Sequence, residues 1–139
     1  MPEKKTIERA RKDARKGKAP STQAGEFVRE EMEHIRKGKH GARSTRQAIA
    51  IGLSKARRAG VKLAPPKPGR TSEHTRRQAE RDLKRTGAKK KTPAKRSRAV
   101  RGAPKREGRS AAGKRSLSRQ AKSAARARRK RGKVTAARA

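Results

Sequence analysis

The sequence predicts a mainly α protein: a short helical hairpin, flanking basic helices and a long disordered Lys/Arg/Ala-rich C-terminal tail. Three observations carry that expectation. Ile, Leu, Val, Met and Phe number only fifteen in 139 residues, and nine of them fall between Phe27 and Leu63. Within that stretch the apolar residues recur at spacings of four and three, the period of an α-helix. The formal net charge is +35, from 46 Lys and Arg against 11 Asp and Glu. Ile, Leu, Val and Phe are about a tenth of the chain, well under the roughly 20% below which a highly charged chain stays disordered. The chain divides into a basic N-terminal arm, helical in part (1–20), a helical hairpin unit (21–63), a Pro-rich linker (64–70), a short polar helix (71–87) and the disordered basic tail (88–139).

The arm carries Ile7, Ala10 and Ala14 at i, i+3, i+7, a stripe too thin to hold it on a core. A frayed, solvated helix is expected, ended by Gly17 and Pro20.

The first hairpin helix is expected over 22–37, capped by Ser21 or Thr22. Val28, Met32 and Ile35 share one face. Glu26 lies in the predicted first turn, where it suits the helix dipole. Glu30, Glu31 and Glu33 are expected on the helix surface, flanking Lys55, Arg57 and Arg58 of the next helix, whose charge answers theirs. Gly38 to Arg43 then connect two antiparallel helices. The second helix has the clearest local grammar. Ser44-Thr45-Arg46-Gln47 is a capping box, Ile49, Leu53 and Ala56 repeat the spacing of the first helix, and Gly60 with Val61 predicts a Schellman stop. In an antiparallel pair Ile35 faces Ile49, Met32 faces Leu53 and Val28 faces Ala56. These six residues are the expected hairpin core. So few apolar side chains offset little of the entropy of ordering the chain, so a marginal hairpin is expected, firm as a homodimer or on a partner.

Residues 71–87 offer a weaker surface helix, with Thr75 to Gln78 as another capping pattern and Ala79 and Leu83 as its apolar face. From Ala88 onward, 21 Lys and Arg stand against one acid, Glu107. Such a segment repels itself unless a polyanion neutralises it. The candidate phosphate-contacting residues are Lys89, Lys90, Lys91, Lys95, Arg96, Arg98, Arg101, Lys105, Arg106, Lys114, Arg115, Arg119, Lys122, Arg126, Arg128, Arg129, Lys130 and Arg131. Arg101 to Arg106 come near the minor-groove motif built on Arg-Gly-Arg-Pro, but Ala103 stands where its second arginine belongs. The tail as a whole resembles linker-histone-type basic tails, in which Ala, Lys and Pro dominate.

Other classes are poorly served. Without cysteine there is neither a disulfide nor a thiolate metal site, a composition compatible with a reducing compartment. No apolar run is long enough to span a bilayer, and Met-Pro-Glu-Lys-Lys does not begin a secretory signal. Phe27, the sole aromatic residue, cannot supply the stacking platform of single-strand and RNA modules. His34 and His40 bracket a glycine loop, and with Glu30 they are the nearest approach to a metal set; exposed polar histidines are the simpler reading, as for His74. No catalytic constellation, metal site, cofactor or small-molecule substrate is expected.

Residues 27–63 also resemble a small basic bacterial domain of unknown function. The shared features are Val28-x-x-x-Met32-x-x-Ile35-Arg36-Lys37-Gly38 and the run Arg46-Gln47-Ala48-Ile49-Ala50-Ile51-Gly52-Leu53-Ser54-x-Ala56-Arg57-x-Ala59-Gly60. The resemblance implies a compact helical unit and a bacterial cytoplasmic setting. It implies no activity.

The expectation is therefore a non-enzymatic, histone-like protein of the nucleoid that binds duplex DNA, in preference to RNA, by neutralising phosphate with little sequence preference. Alternatives are an RNA- or ribosome-associated basic protein, an adaptor whose hairpin binds a protein, and a helix-turn-helix reading in which Arg46, Gln47, Lys55, Arg57 and Arg58 face a groove.

Overall fold

The computed structural model describes residues 1–86 and 93–138. Among these residues the chain is helical, without strands: α1 Lys4–Arg15, α2 Pro20–Arg36, α3 Thr45–Arg58, α4 Glu73–Lys84, α5 Ala94–Arg106, a 3-10 turn Ser110–Ala112, and α6 Lys114–Arg138.

The hairpin of α2 and α3 is the centre of the fold, and its ends follow from local chemistry. The Ser44 side chain accepts from the Gln47 N–H at 3.2 Å, while Gln47 Oε1 reaches back one residue further than a capping box requires, to the Arg43 N–H at 2.7 Å. Gly60 takes φ +102°. Its N–H donates to the Arg57 carbonyl, and Val61 N–H donates to Ala56. This is the Schellman pattern, with Val61 buried against Ala56. Two caps differ from expectation. Helix α2 begins two residues earlier, with Pro20 in its first turn and no side-chain cap, so Glu26 lies beyond its first turn. Helix α4 is capped by Ser72, which accepts from Thr75 N–H at 3.2 Å.

The register of the hairpin also differs. A Cβ built on Gly52 lies 2.7 Å from the Val28 backbone, so Val28 crosses at Gly52, one turn from the expected Ala56. The buried row of α3 is Ala48, Gly52 and Ala56, while Ile49 and Leu53 lie half-buried on its flank. Small residues let two helix backbones approach closely, and larger apolar side chains then fill the sides of the seam.

Those sides are two clusters. Met32, Ile35, Ala42 and Ala48 form one with Ala111 and Ala112, with Val28, Ile49 and Leu117 packed against it. Ala24, Phe27, Ala56 and Val61 form the other with Ala10, adjoined by Ile7, Leu53 and Leu63. Met32 and Leu53, expected face to face, therefore belong to different clusters. The arm is not a solvated helix: α1 buries Thr6 and Ala10 against α2, leaving Ala14 exposed. Helix α4 buries Ala79 and Asp82. The hairpin, expected to be firm only as a homodimer or on a partner, packs against α1, α4 and the Ser110–Ala112 turn of its own chain.

The segment 88–139, expected to be disordered, is helical over α5 and α6. Ala, Lys and Arg are strong helix formers, and a low-complexity composition conceals that propensity. The segment is also anchored. Gly41 N–H donates to the Pro104 carbonyl at 2.7 Å and Ala42 N–H to Gly108 at 3.0 Å. A side chain at Gly41 would collide with the Glu107 backbone. Thr45 Oγ1 donates to the Ala111 carbonyl and Arg36 Nε to Ala112. The methyl groups of Ala111 and Ala112 complete the cluster around Ile35.

Candidate nucleic-acid interface

Fifteen of the predicted phosphate-contacting residues lie in the described part, and all fifteen are exposed. Lys95, Arg96, Arg98, Arg101, Lys105 and Arg106 are on α5; Lys114, Arg115, Arg119, Lys122, Arg126, Arg128, Arg129, Lys130 and Arg131 are on α6. Lys89, Lys90 and Lys91 lie outside the described residues. None of the fifteen pairs with a carboxylate among the described residues. Glu107, the one acid of this region, meets Arg43 instead, at 3.6 Å.

Helical geometry sorts the α6 cations. Leu117, Gln120 and Ala124 share the half-buried side that meets the bundle. On the opposite side Arg115, Arg119, Lys122, Arg126, Arg129 or Lys130, and Lys133 follow at i, i+4, i+7, i+11, i+14 or i+15, and i+18. Lys133 was missed by the sequence reading, although the same spacing marks it. This row rises about 27 Å along the helix. Arg128 and Arg131 point away from it. Arg101 to Arg106 belong to α5 and are helical. Phe27, at 1% exposure, offers no stacking surface.

Comparison with protein-family models, curated proteins and solved structures finds no match.

Three of the four basic residues of α3 have partners within the bundle. Arg57 is buried and its Nε donates to the Leu63 carbonyl at 3.2 Å. Burial lowers its pKa, with Asp82 opposing that shift. Arg58 lies 3.4 Å from Asp82 and also donates to Ser54 at 2.7 Å. Lys55 pairs with Glu31. Gln47 is held by the cap. Of the five side chains in the helix-turn-helix reading, Arg46 alone remains exposed and without an intrachain partner among the described residues.

A second polar cluster lies inside the bundle. Glu30 and Glu31, expected on the surface, are buried. Position 31 is four residues from both Phe27 and Ile35, so the apolar face of α2 carries this carboxylate into the seam. Lys55 answers one Glu31 oxygen. The Glu31 Oε2 and Glu30 Oε2 atoms are buried without a hydrogen-bond partner. His34 and His40 converge beside them, their rings edge to face with centroids 5.9 Å apart. The exposed Glu3 accepts from His34 and, at 3.0 Å, from Lys39; these hold its carboxyl down at about 2.

Proposed function

We propose that the protein is a histone-like, largely sequence-nonspecific DNA-binding protein that grips duplex phosphate through α5 and α6. The observation that carries this reading is the unpaired cationic row from Arg115 to Lys133, on the side of α6 turned away from the bundle. Lys and Arg release the counterions condensed on duplex DNA, which favours binding without reading sequence. The burial of Phe27 supports duplex over single strand, because base stacking needs an accessible ring. In this reading the bundle positions the cations, and the setting is a bacterial nucleoid. No described helix is long and apolar enough to cross a membrane.

The test is affinity for a random duplex across a salt series. The logarithm of the affinity should fall linearly with the logarithm of salt, by roughly 10³-fold or more between 50 and 200 mM. A flat response overturns the reading. Tighter binding to ribosomal RNA than to duplex at matched salt transfers it to an RNA-associated protein.

A further inference from the structure

We propose that Glu31, His34 and His40 form a binding site for one divalent transition-metal ion of the zinc class, through Glu31 Oε2, His34 Nδ1 and His40 Nε2.

The hydrogen bonds of the two rings decide which nitrogens are free. His40 Nδ1 lies 3.1 Å from the Gly41 carbonyl. A carbonyl only accepts, so Nδ1 carries the proton and the neutral ring's lone pair is on Nε2. His34 Nε2 lies 3.0 Å from Glu3 Oε1. That carboxylate is ionised at neutral pH and also only accepts, so Nε2 carries the proton and the lone pair is on Nδ1. Both lone pairs therefore turn toward Glu31. His40 Nε2 is 3.3 Å from Oε2, and His34 Nδ1 is 4.0 Å from Oε1. Two lone pairs aimed at a buried carboxylate repel it unless a cation stands between them.

Lys55 sits on Oε1, the oxygen His34 approaches, and leaves Oε2, the oxygen nearer His40, without a cation. Glu31 Oε2 is left buried without a hydrogen bond, as is Glu30 Oε2. One donor atom from each of Glu31, His34 and His40 lies within 4.8 Å of the other two. Two ligands on a tetrahedral zinc stand about 3.3 Å apart, so His34 has the larger distance to close. The hydrogen bonds of His34 to Glu3 and of His40 to Gly41 are the outer contacts that orient metal-bound imidazoles. Imidazole with carboxylate selects zinc-like ions over magnesium or calcium, which prefer all-oxygen sets. Both rings are partly exposed, so the ion has an entry path and solvent supplies its fourth ligand. The bound ion would tie α2 to the connector at His40, beside the Gly41 N–H that holds the tail.

The experiment uses the full chain, stripped with a chelator and titrated with Zn²⁺, with Mg²⁺ as control. One Zn²⁺ per chain should saturate, raising Tm, while Mg²⁺ does neither. In the unaltered chain the imidazole nitrogen resonances of His34 and His40 should move on Zn²⁺ addition and those of His74 should not. His34→Gln or His40→Gln should weaken Zn²⁺ at least tenfold, Glu3→Gln by roughly 10- to 100-fold, and His74→Gln not at all, with helix content monitored by circular dichroism. The proposal is overturned by the lack of a saturable single ion, or by resonances that all move or all stay.

Discussion

The bundle of residues 1–86 and the segment 93–138 are both helical and both basic, yet they treat charge in opposite ways. In the bundle the buried carboxylates Glu31 and Asp82 are answered, although 25 Lys and Arg there outnumber 10 Asp and Glu. Lys55 meets buried Glu31, Arg58 meets buried Asp82, and Arg76 bridges Glu73 and Glu80. The fifteen candidate cations of α5 and α6 face solvent without a carboxylate partner among the described residues. The bundle shows what a chain poor in apolar residues does to build an interior: it brings small residues close and buries paired ions between them. The second segment shows that helix formation needs no interior, only strong helix formers and an anchor. The anchor is a single turn, with Ala111 and Ala112 buried in the bundle.

The largest effect that would break this comparison is on binding. Replacing Arg115, Arg119, Lys122 and Arg126 together with Gln should lower duplex affinity by roughly 10³-fold at 0.1 M salt and cut the salt slope by about 3 to 4. Thermal stability should be unchanged, because none of the four touches a carboxylate among the described residues. Unchanged binding, read by fluorescence anisotropy, would assign the affinity to the bundle.

Next is the seam. Gly52→Leu forces a side chain against the Val28 backbone and should cost at least about 1–3 kcal/mol in chemical denaturation, as overpacking does. A neutral result would mean that α2 and α3 do not cross there. The third concerns the anchor. Ala111→Glu places a charge in the Ile35 cluster and should release the turn, lowering Tm by several degrees, about 1–2 kcal/mol. If Tm stays put, the tail is an appendage and the two regions are independent. The smallest is acid titration. Glu3 is held at about 2, below its ordinary 4.5, chiefly by the His34 hydrogen bond and then by Lys39. A depressed carboxylate stabilises fully above the ordinary value and loses that contribution as pH falls toward 2. Glu3→Gln should therefore narrow the Tm difference between pH 5 and pH 2.5.

Much of the hairpin was legible in the sequence. The Ser44 cap, the Gly60 stop and the antiparallel pairing follow from local chemistry that tertiary packing leaves alone. The register was not, because the large residues Ile49 and Leu53 outweigh Ala48 and Gly52 in any hydrophobic pattern, whereas close packing prefers the small row. Glu31 was misread by its charge, although its place between Phe27 and Ile35 is plain from spacing alone. His34 and His40 were visible as a pair, but their shared partner was not, since it depends on the path of the connector. The anchored turn had no signal beyond two alanines. The basic residues named as phosphate contacts are exposed on α5 and α6, while their alignment required knowing that the tail is a helix.

That alignment has a consequence for how a polyanion would be held. A flexible tail moulds each cation to a phosphate of its own. A helix is a comb with fixed teeth, about 5.4 Å apart per turn, whereas phosphates follow one another every 3.4 Å of axis along a strand and wind away from any straight edge. Arg115 to Lys133 would therefore meet some phosphates and skip others, and Arg128 and Arg131 would face elsewhere. The effective valence of α6 is set by its stripe and lies well below its count of charges.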